Sequence, residues 1–566
     1  MGAGVGAGHR RRGTTAGLFG AALLVAGTVL ASGAGAHAQP SPPPGGHSSS
    51  GHGEDDDRDG RRGGNGNGGH GNDNGGAGGN GRGKGRTGAT GTPRPAGTGP
   101  VAAAATTGAT APGSTGTTAS GTPAGPATGT PAPPAGARPA PAAGAVLAAA
   151  EAGPSAGLPT TQGLQQALAA ALGDRNLGTV SFAVADAAGG QLLYGSGENT
   201  PATPASTTKL ATSVAALSLI PGDARLTTRV VKGANPGEIT LVGGGDPTLT
   251  ALPADQVQIA GLPADADTAP ASLDALARQT ATALKAAGTT TVKLDYDLSL
   301  YSGNPQHKNH DAANIALVTP LMVDEGKVDP KSREDAPPRV ADPAGAAADA
   351  FAALLKTQGV TVDGRARPSA APAAVGAAVL GRVDSPTVAR LVERLLTTSD
   401  NTLAEAMARQ VAVAAHQPAG FEGAAAAVVQ ELARLGVPMT GVVLNDGSGL
   451  HPGNAIPPAV LVRLLALAAS EQHPTLRPVL TGLPVAGFSG TLGKRFGSGS
   501  GADGAAGLVR AKTGTISGVN TLAGTVVDAE GRLLVFAVMT RTPAPADTAR
   551  AAMDRIVARL AACGCH

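Results

Sequence analysis

The sequence predicts an α/β (α+β) protein, an antiparallel sheet covered by helices with a smaller α/β domain inserted into it. Two observations carry this reading. The ends of the ordered body mirror each other: a helix and two strand-like runs open it, and two strand-like runs and a helix close it. Everything before that body is poor in core-forming residues. Of 566 residues, 85 are Gly and 44 are Pro, and no Phe, Tyr or Trp occurs between Phe19 and Phe182. Such a stretch cannot bury enough apolar surface to offset its ordering entropy.

Residues 1–38 have the order of a secretory signal peptide. Arg10-Arg11-Arg12 precede an apolar run from Ala16 to about Ser32, and Ala36-His37-Ala38 supplies a small-x-small cleavage pattern. Cleavage after Ala38 is the first expectation, and retention as an N-terminal membrane anchor is the alternative. Both place the body outside the cytoplasm, secreted, in the cell wall or anchored to the membrane. Residues 39–157, rich in Gly, Pro, Ala and Thr, read as a disordered spacer. Its acidic run Glu54 to Asp59 is interrupted by Arg58 and reads as solvated charge rather than a calcium loop.

After Pro159 a Leu/Ala-rich helix is expected over Thr161–Leu172. Strands follow at Thr179–Ala185 and Gln191–Tyr194, with Gly189-Gly190 as the turn. At the far end, strands Val519–Val527 and Arg532–Thr540 flank Asp528-Ala529-Glu530-Gly531. A last helix then carries Met553, Ile556 and Leu560 on one face. One sheet built from both chain ends makes residues 158–226 and 363–562 the main domain and 227–362 the insertion. The insertion holds the expected helix Ser272–Lys285, strand Thr291–Asp295 and helix Ala344–Lys356. Residues 563–566 read as a frayed tail, with Cys563-Gly564-Cys565 too tight for a relaxed bridge.

Composition also excludes partners. The formal charge is +2, with no basic cluster beyond residues 10–12, so nucleic acid is not expected to bind. Two Cys at the very end exclude a disulfide framework and a four-Cys zinc site.

Three short motifs carry chemistry. In Ser206-Thr207-Thr208-Lys209, a helical start puts Ser206 and Lys209 one turn apart on one face. Ser is a weak nucleophile, and a Lys can serve as its base when burial lowers its pKa. Ser399-Asp400-Asn401 lies between the helical runs Val388–Leu396 and Thr402–Val413, where it can present a hydroxyl and a carboxamide to a cleft. Lys512-Thr513-Gly514-Thr515 closes the apparent strand Leu508–Ala511 and offers a cation, two hydroxyls and a Gly that permits close approach. Each alone reads as an ordinary helix cap or strand end. In this order, on helix, loop and strand, they match the set of penicillin-binding proteins and class A β-lactamases.

From about Leu158 to Ala562 the chain resembles the D-alanyl-D-alanine carboxypeptidase/endopeptidase family, the S13 serine peptidases or class C low-molecular-weight penicillin-binding proteins. Further markers are Gly243-Gly244-Gly245-Asp246-Pro247-Thr248-Leu249, Asp446-Gly447-Ser448-Gly449-Leu450 and Gly490-Thr491-Leu492 with Arg495-Phe496. The resemblance implies a β-lactamase/transpeptidase-like fold and a hydrolase of the peptidoglycan stem peptide with no cofactor and no metal. It implies Ser206 as nucleophile, Lys209 as its base, Ser399 and Lys512 as the proton relay, and Asn401 on the substrate amide. Thr513, Gly514 and Thr515 would hold the terminal carboxylate, and the main-chain N–H groups of Ser206 and Thr515 would form the oxyanion hole. Peptidoglycan stem peptides and β-lactam antibiotics are the implied partners, with membrane association only through an uncleaved N-terminus.

The sequence departs from that family in places. His451-Pro452 follows the Asp-Gly-Ser-Gly-Leu run, where an Arg is usual. The loop 304–311 lacks the aromatic residues that family members aim at the third residue of the stem peptide. In that loop His307, His310 and Asp311 could suggest a metal, but a solvated loop is expected because no fourth ligand is evident. Two rival functions share these residues: a serine β-lactamase, and a catalytically idle wall-binding protein. No deacylating Glu is recognisable for the first, and the intact Ser206, Lys209, Ser399, Asn401 and Lys512 argue against the second.

Overall fold

The computed structural model describes residues 157–566, apart from Ala260 and Asp335. These lie in the second of two compact units, Thr130–His566. The expected signal peptide or anchor (1–38) and all but the last residue of the expected spacer (39–157) fall outside the described residues. No helix among the described residues is long and apolar enough to cross a membrane.

Five antiparallel strands form the main sheet, in the order Val509–Ile516, Val519–Val527, Leu533–Arg541, Thr179–Asp186, Leu192–Ser196. The two chain ends meet at its centre, where Thr179 pairs with Arg541 and Asp186 with Leu534. Side chains of a strand alternate between faces, and both faces here are covered. Phe182 and Val184 pack towards the helices Thr161–Leu172 and Ala546–Ala561, in a core with Leu164, Leu168, Ile556 and Leu560. Ala183 and Ala185 point the other way, into a core with Leu210, Val214, Leu461 and Leu465. Burial on both faces explains why these strands read as unbroken apolar runs. The small Ala side chains let the helix Pro458–Ala469 sit close to the sheet.

The insertion is larger than residues 227–362. Its sheet runs Val379–Thr387, Arg225–Lys232, Glu238–Val242, Thr291–Asp297, with short strands Thr361–Val362 and Arg367–Pro368 beside the last. Val383 pairs with Thr228, so the second sheet closes only at residue 387. Gly381 and Pro386 hide that strand in the sequence, since both are poor strand formers. Helices Leu273–Ala286 and Pro343–Thr357 cover this sheet through Leu276, Leu284, Phe351 and Leu355.

The tail is also docked rather than frayed. Cys563 is buried, a disulfide joins it to Cys565, and the Cys565 carbonyl accepts the Thr160 N–H at 2.8 Å.

Candidate active site

Ser206 lies in a single 3-10 turn, Ala205–Thr207, that runs directly into the helix Thr208–Leu219. Ala205 has φ +45°, a left-handed conformation costly for a residue with a Cβ. The turn is held by the Pro204 carbonyl, which accepts the Thr207 hydroxyl at 2.7 Å and the Thr521 hydroxyl at 2.8 Å. One turn on, Lys209 is fully buried. Its Nζ donates to Ser206 Oγ (2.8 Å), Asn401 Oδ1 (2.7 Å) and the Ser448 carbonyl (2.7 Å). Burial lowers its pKa to about 8, against the opposing charges of Asp446, Glu405 and Asp400.

The Ser399-Asp400-Asn401 triplet divides its labour. Ser399 ends the helix Val388–Thr398 in the left-handed conformation, φ +61°. Asp400 caps the helix Asn401–Ala414 by accepting the Leu403 N–H at 2.9 Å. The cap expected of these residue types is therefore real, and it turns Ser399 and Asn401 towards Lys512 and Lys209. Asn401 is engaged at both ends of its carboxamide, since Nδ2 donates to the Asn314 carbonyl at 3.0 Å. Asp400 itself faces the insertion: burial and the neighbouring Glu325 charge raise its pKa to about 6.

Lys512 does not close its strand but lies within it, because Val509–Ile516 pairs along its whole length with Val519–Val527 and sets Lys512 opposite Ala523. Its buried Nζ donates to Ser399 Oγ and to the Thr513 carbonyl, each at 2.8 Å. Burial holds the Lys512 pKa well below its usual value, and the Lys209 charge adds to the effect. Thr513 donates its hydroxyl to Thr491 (2.8 Å), and Thr515 receives Arg550 Nη2 (3.1 Å). Gly514 is required by the protein itself: a Cβ there would collide with Thr521 Oγ1 and lie 2.9 Å from Ser206 N. The bare backbone lets the Ser206 turn press against the Lys512 strand.

The expected side chains thus fall into a hydrogen-bonded trio, Ser206–Lys209–Asn401, and a pair, Ser399–Lys512, with Thr513 and Thr515 along the adjoining strand. Reading the sequence for side chains could not reveal the Ser448 carbonyl or Arg550. The loop 304–311 differs from expectation: Asp311 is exposed, but His310 is buried and its Nε2 lies 2.8 Å from Asp446 Oδ2. Among the described residues, His310, Glu405 and Asp446 are the one group with the composition of a metal site. Their carboxylates already accept main-chain N–H groups, of Gly447 and Ser448 at Glu405 and of Gly449 and His451 at Asp446.

Comparison with known proteins agrees with this geometry. The chain is 37% identical over 420 residues to carboxypeptidase DacB of Mycolicibacterium smegmatis, an alignment covering 73% of this chain and 86% of that protein. It is 30% identical over 440 residues to the D-alanyl-D-alanine carboxypeptidase of Actinomadura sp. R39, covering 67% and 80%. The crystal structure of penicillin binding protein 4 from Haemophilus influenzae superposes with a TM-score of 0.55 over 71% of this chain and 98% of that one, at 19% identity, a likeness of fold. The model of the D-Ala-D-Ala carboxypeptidase 3 (S13) family matches residues 164–338 and 330–561. With more than half of its length matched, the chain belongs to that family.

Proposed function

We propose that the protein is a serine D,D-peptidase of the cell wall that cleaves the terminal D-Ala-D-Ala bond of peptidoglycan stem peptides through an acyl-enzyme on Ser206. The observation that carries this is the buried Lys209 amine, 2.8 Å from the Ser206 hydroxyl and lowered to about pKa 8. As the free amine, Lys209 takes the Ser206 proton while Oγ attacks the carbonyl of the penultimate D-Ala. The N–H groups of Ser206 and Thr515 stabilise the oxyanion, where losing one donor typically costs about 3–4 kcal/mol. Ser399, hydrogen-bonded to Lys512, passes a proton to the departing amine. The second hydrogen of Asn401 Nδ2 serves the substrate's amide carbonyl. Thr513 and Thr515, with Gly514 between them, hold the terminal carboxylate. Water then releases the acyl group from Ser206.

Penicillin is expected to acylate the same serine, because its strained amide imitates the scissile bond. A solved structure of the Haemophilus influenzae protein is of its complex with a β-lactam. Labelling with a fluorescent penicillin tests the assignment: wild type takes the label and Ser206→Ala does not. Undiminished label on Ser206→Ala would sink it. Release of D-Ala from a pentapeptide, set against cleavage of crosslinked muropeptide dimers, divides carboxypeptidase from endopeptidase action. An extracytoplasmic location, with or without an N-terminal anchor, belongs to the same proposal. It is supported by the charge and apolar order of residues 1–38 and is tested by fractionating cells that express the full chain.

A further inference from the structure

One of the three acceptors that orient the Lys209 amine is a main-chain carbonyl, that of Ser448, so the loop carrying it bears directly on the base. The loop 446–449 is held from two sides. Glu405, on the Asn401 helix, accepts the N–H of Gly447 at 3.1 Å and of Ser448 at 2.8 Å. Asp446 accepts the N–H of Gly449 (2.8 Å) and His451 (2.6 Å) and the side chain of Asn454 (2.6 Å). Its second oxygen, Oδ2, also faces His310 Nε2 at 2.8 Å, and both side chains are 0% exposed.

His310 comes from a different part of the chain, the segment after the insertion's strand Thr291–Asp297. Its ring is wedged edge-on to Phe421 at 5.2 Å, and its Nδ1 has no hydrogen-bond partner among the described residues. The tautomer with hydrogen on Nε2 is therefore the one that uses the ring, as a donor to Asp446. On its far side the loop touches the nucleophile's own turn. Gly449 adopts φ +87°, and a Cβ there would run into the Ala205 carbonyl. A shift of this loop would move the Lys209 acceptor and the support of the Ser206 turn together.

We infer that His310 is a positioning residue: by donating to Asp446 it locks the 446–449 loop and so sets the Ser448 carbonyl on the Lys209 amine. The inference rests on the reading of Lys209 as the base. The groups facing that amine are Ser206, Asn401 and the Ser448 carbonyl, with the charges of Asp446, Glu405 and Asp400 beyond them.

The test is the second-order rate of acylation by a fluorescent penicillin, measured from pH 6 to 10 on the full chain. His310→Phe keeps a ring against Phe421 and removes the donor; His310→Gln returns an N–H near the Nε2 position. We expect His310→Phe to acylate at least tenfold more slowly and His310→Gln to recover to within about threefold of wild type. Equal rates for His310→Phe and wild type, or equal impairment of Phe and Gln variants, would overturn the inference. Should His310→Phe not fold, Asp446→Asn decides. It keeps the acceptor oxygen for the loop N–H groups but breaks the charged contact with His310 Nε2, so acylation above pH 9, where the Lys209 amine is free, should still fall at least tenfold, and a wild-type rate there overturns the inference. A wild-type chain that takes no label at all is a separate result, and it overturns the function rather than this role.

Discussion

Lys512 and Ser399, 113 residues apart in the chain, are joined by a 2.8 Å hydrogen bond that bridges the edge strand of the main sheet and the left-handed end of a helix. With the Lys209–Asn401 bond it ties sheet and helices together across the cleft, so the site is assembled by tertiary contacts rather than by any one segment.

The rate of penicillin acylation should rise with pH through about 8 and level off above it. Burial lowers the Lys209 pKa to about 8, so the free amine gains its full population only above that value. Stopped-flow acylation from pH 6 to 10 checks this. A rate still climbing steeply beyond pH 9.5 would mean an unperturbed lysine. Lys209→Ala should fold yet lose roughly 10²–10⁴-fold in acylation, the usual span for a general base.

Gly514→Ala should be disabling although it adds one methyl group. The new Cβ meets Thr521 Oγ1 and the Ser206 main chain, forcing the turn off the strand. About 1–3 kcal/mol of stability should be lost to overpacking, and acylation should fall by more than the melting temperature suggests. Thermal denaturation alongside labelling separates the two effects.

Arg550→Ala should raise KM for D-Ala-D-Ala peptides roughly tenfold, about 1.4 kcal/mol, with kcat nearly unchanged. The Arg550 guanidinium bonds Thr515 Oγ1 at 3.1 Å and Asp547 at 2.9 Å, which puts a partly exposed cation beside the strand assigned to the substrate carboxylate. Neither bond involves Ser206, Lys209, Ser399 or Lys512, so the proton transfers should change little. An equal fall in kcat would contradict this.

Exchanging diaminopimelate for L-Lys at the third residue of the stem peptide should change kcat/KM by less than about tenfold. Pro452 can neither donate nor carry charge, and exposed Lys308 offers a flexible point charge instead of a bidentate fork. Matched pentapeptides measure it, and a hundredfold preference for diaminopimelate would show that other residues of the insertion clamp that side chain.

Side chains that belong to a short local motif were legible in the sequence. Ser206, Lys209, Ser399, Asn401 and Lys512 could be found because helix start, inter-helix loop and strand each leave a local pattern. The paired ends of the main sheet were legible for the same reason, as apolar runs bounded by turn residues. What stayed hidden depends on contacts distant in sequence. The Ser448 carbonyl is a main-chain group that every residue possesses, and His310 gains its meaning only from Asp446, 136 residues on. The strand Val379–Thr387 carries a Gly and a Pro that tertiary pairing with Arg225–Lys232 overrides.

The central pairing of Thr179–Asp186 with Leu533–Arg541 sets an order of events during synthesis. The first strand leaves the ribosome some 350 residues before its partner, and closing so long a loop is slow compared with local pairing. The insertion draws its sheet from 225–387 and can pair much earlier. Lys512 reaches Ser399 from an edge strand joined to the late partner through Val519–Val527, so the cleft is completed only late in synthesis. A chain threaded unfolded across a membrane would therefore become an active hydrolase only on the far side, after its last strand had arrived.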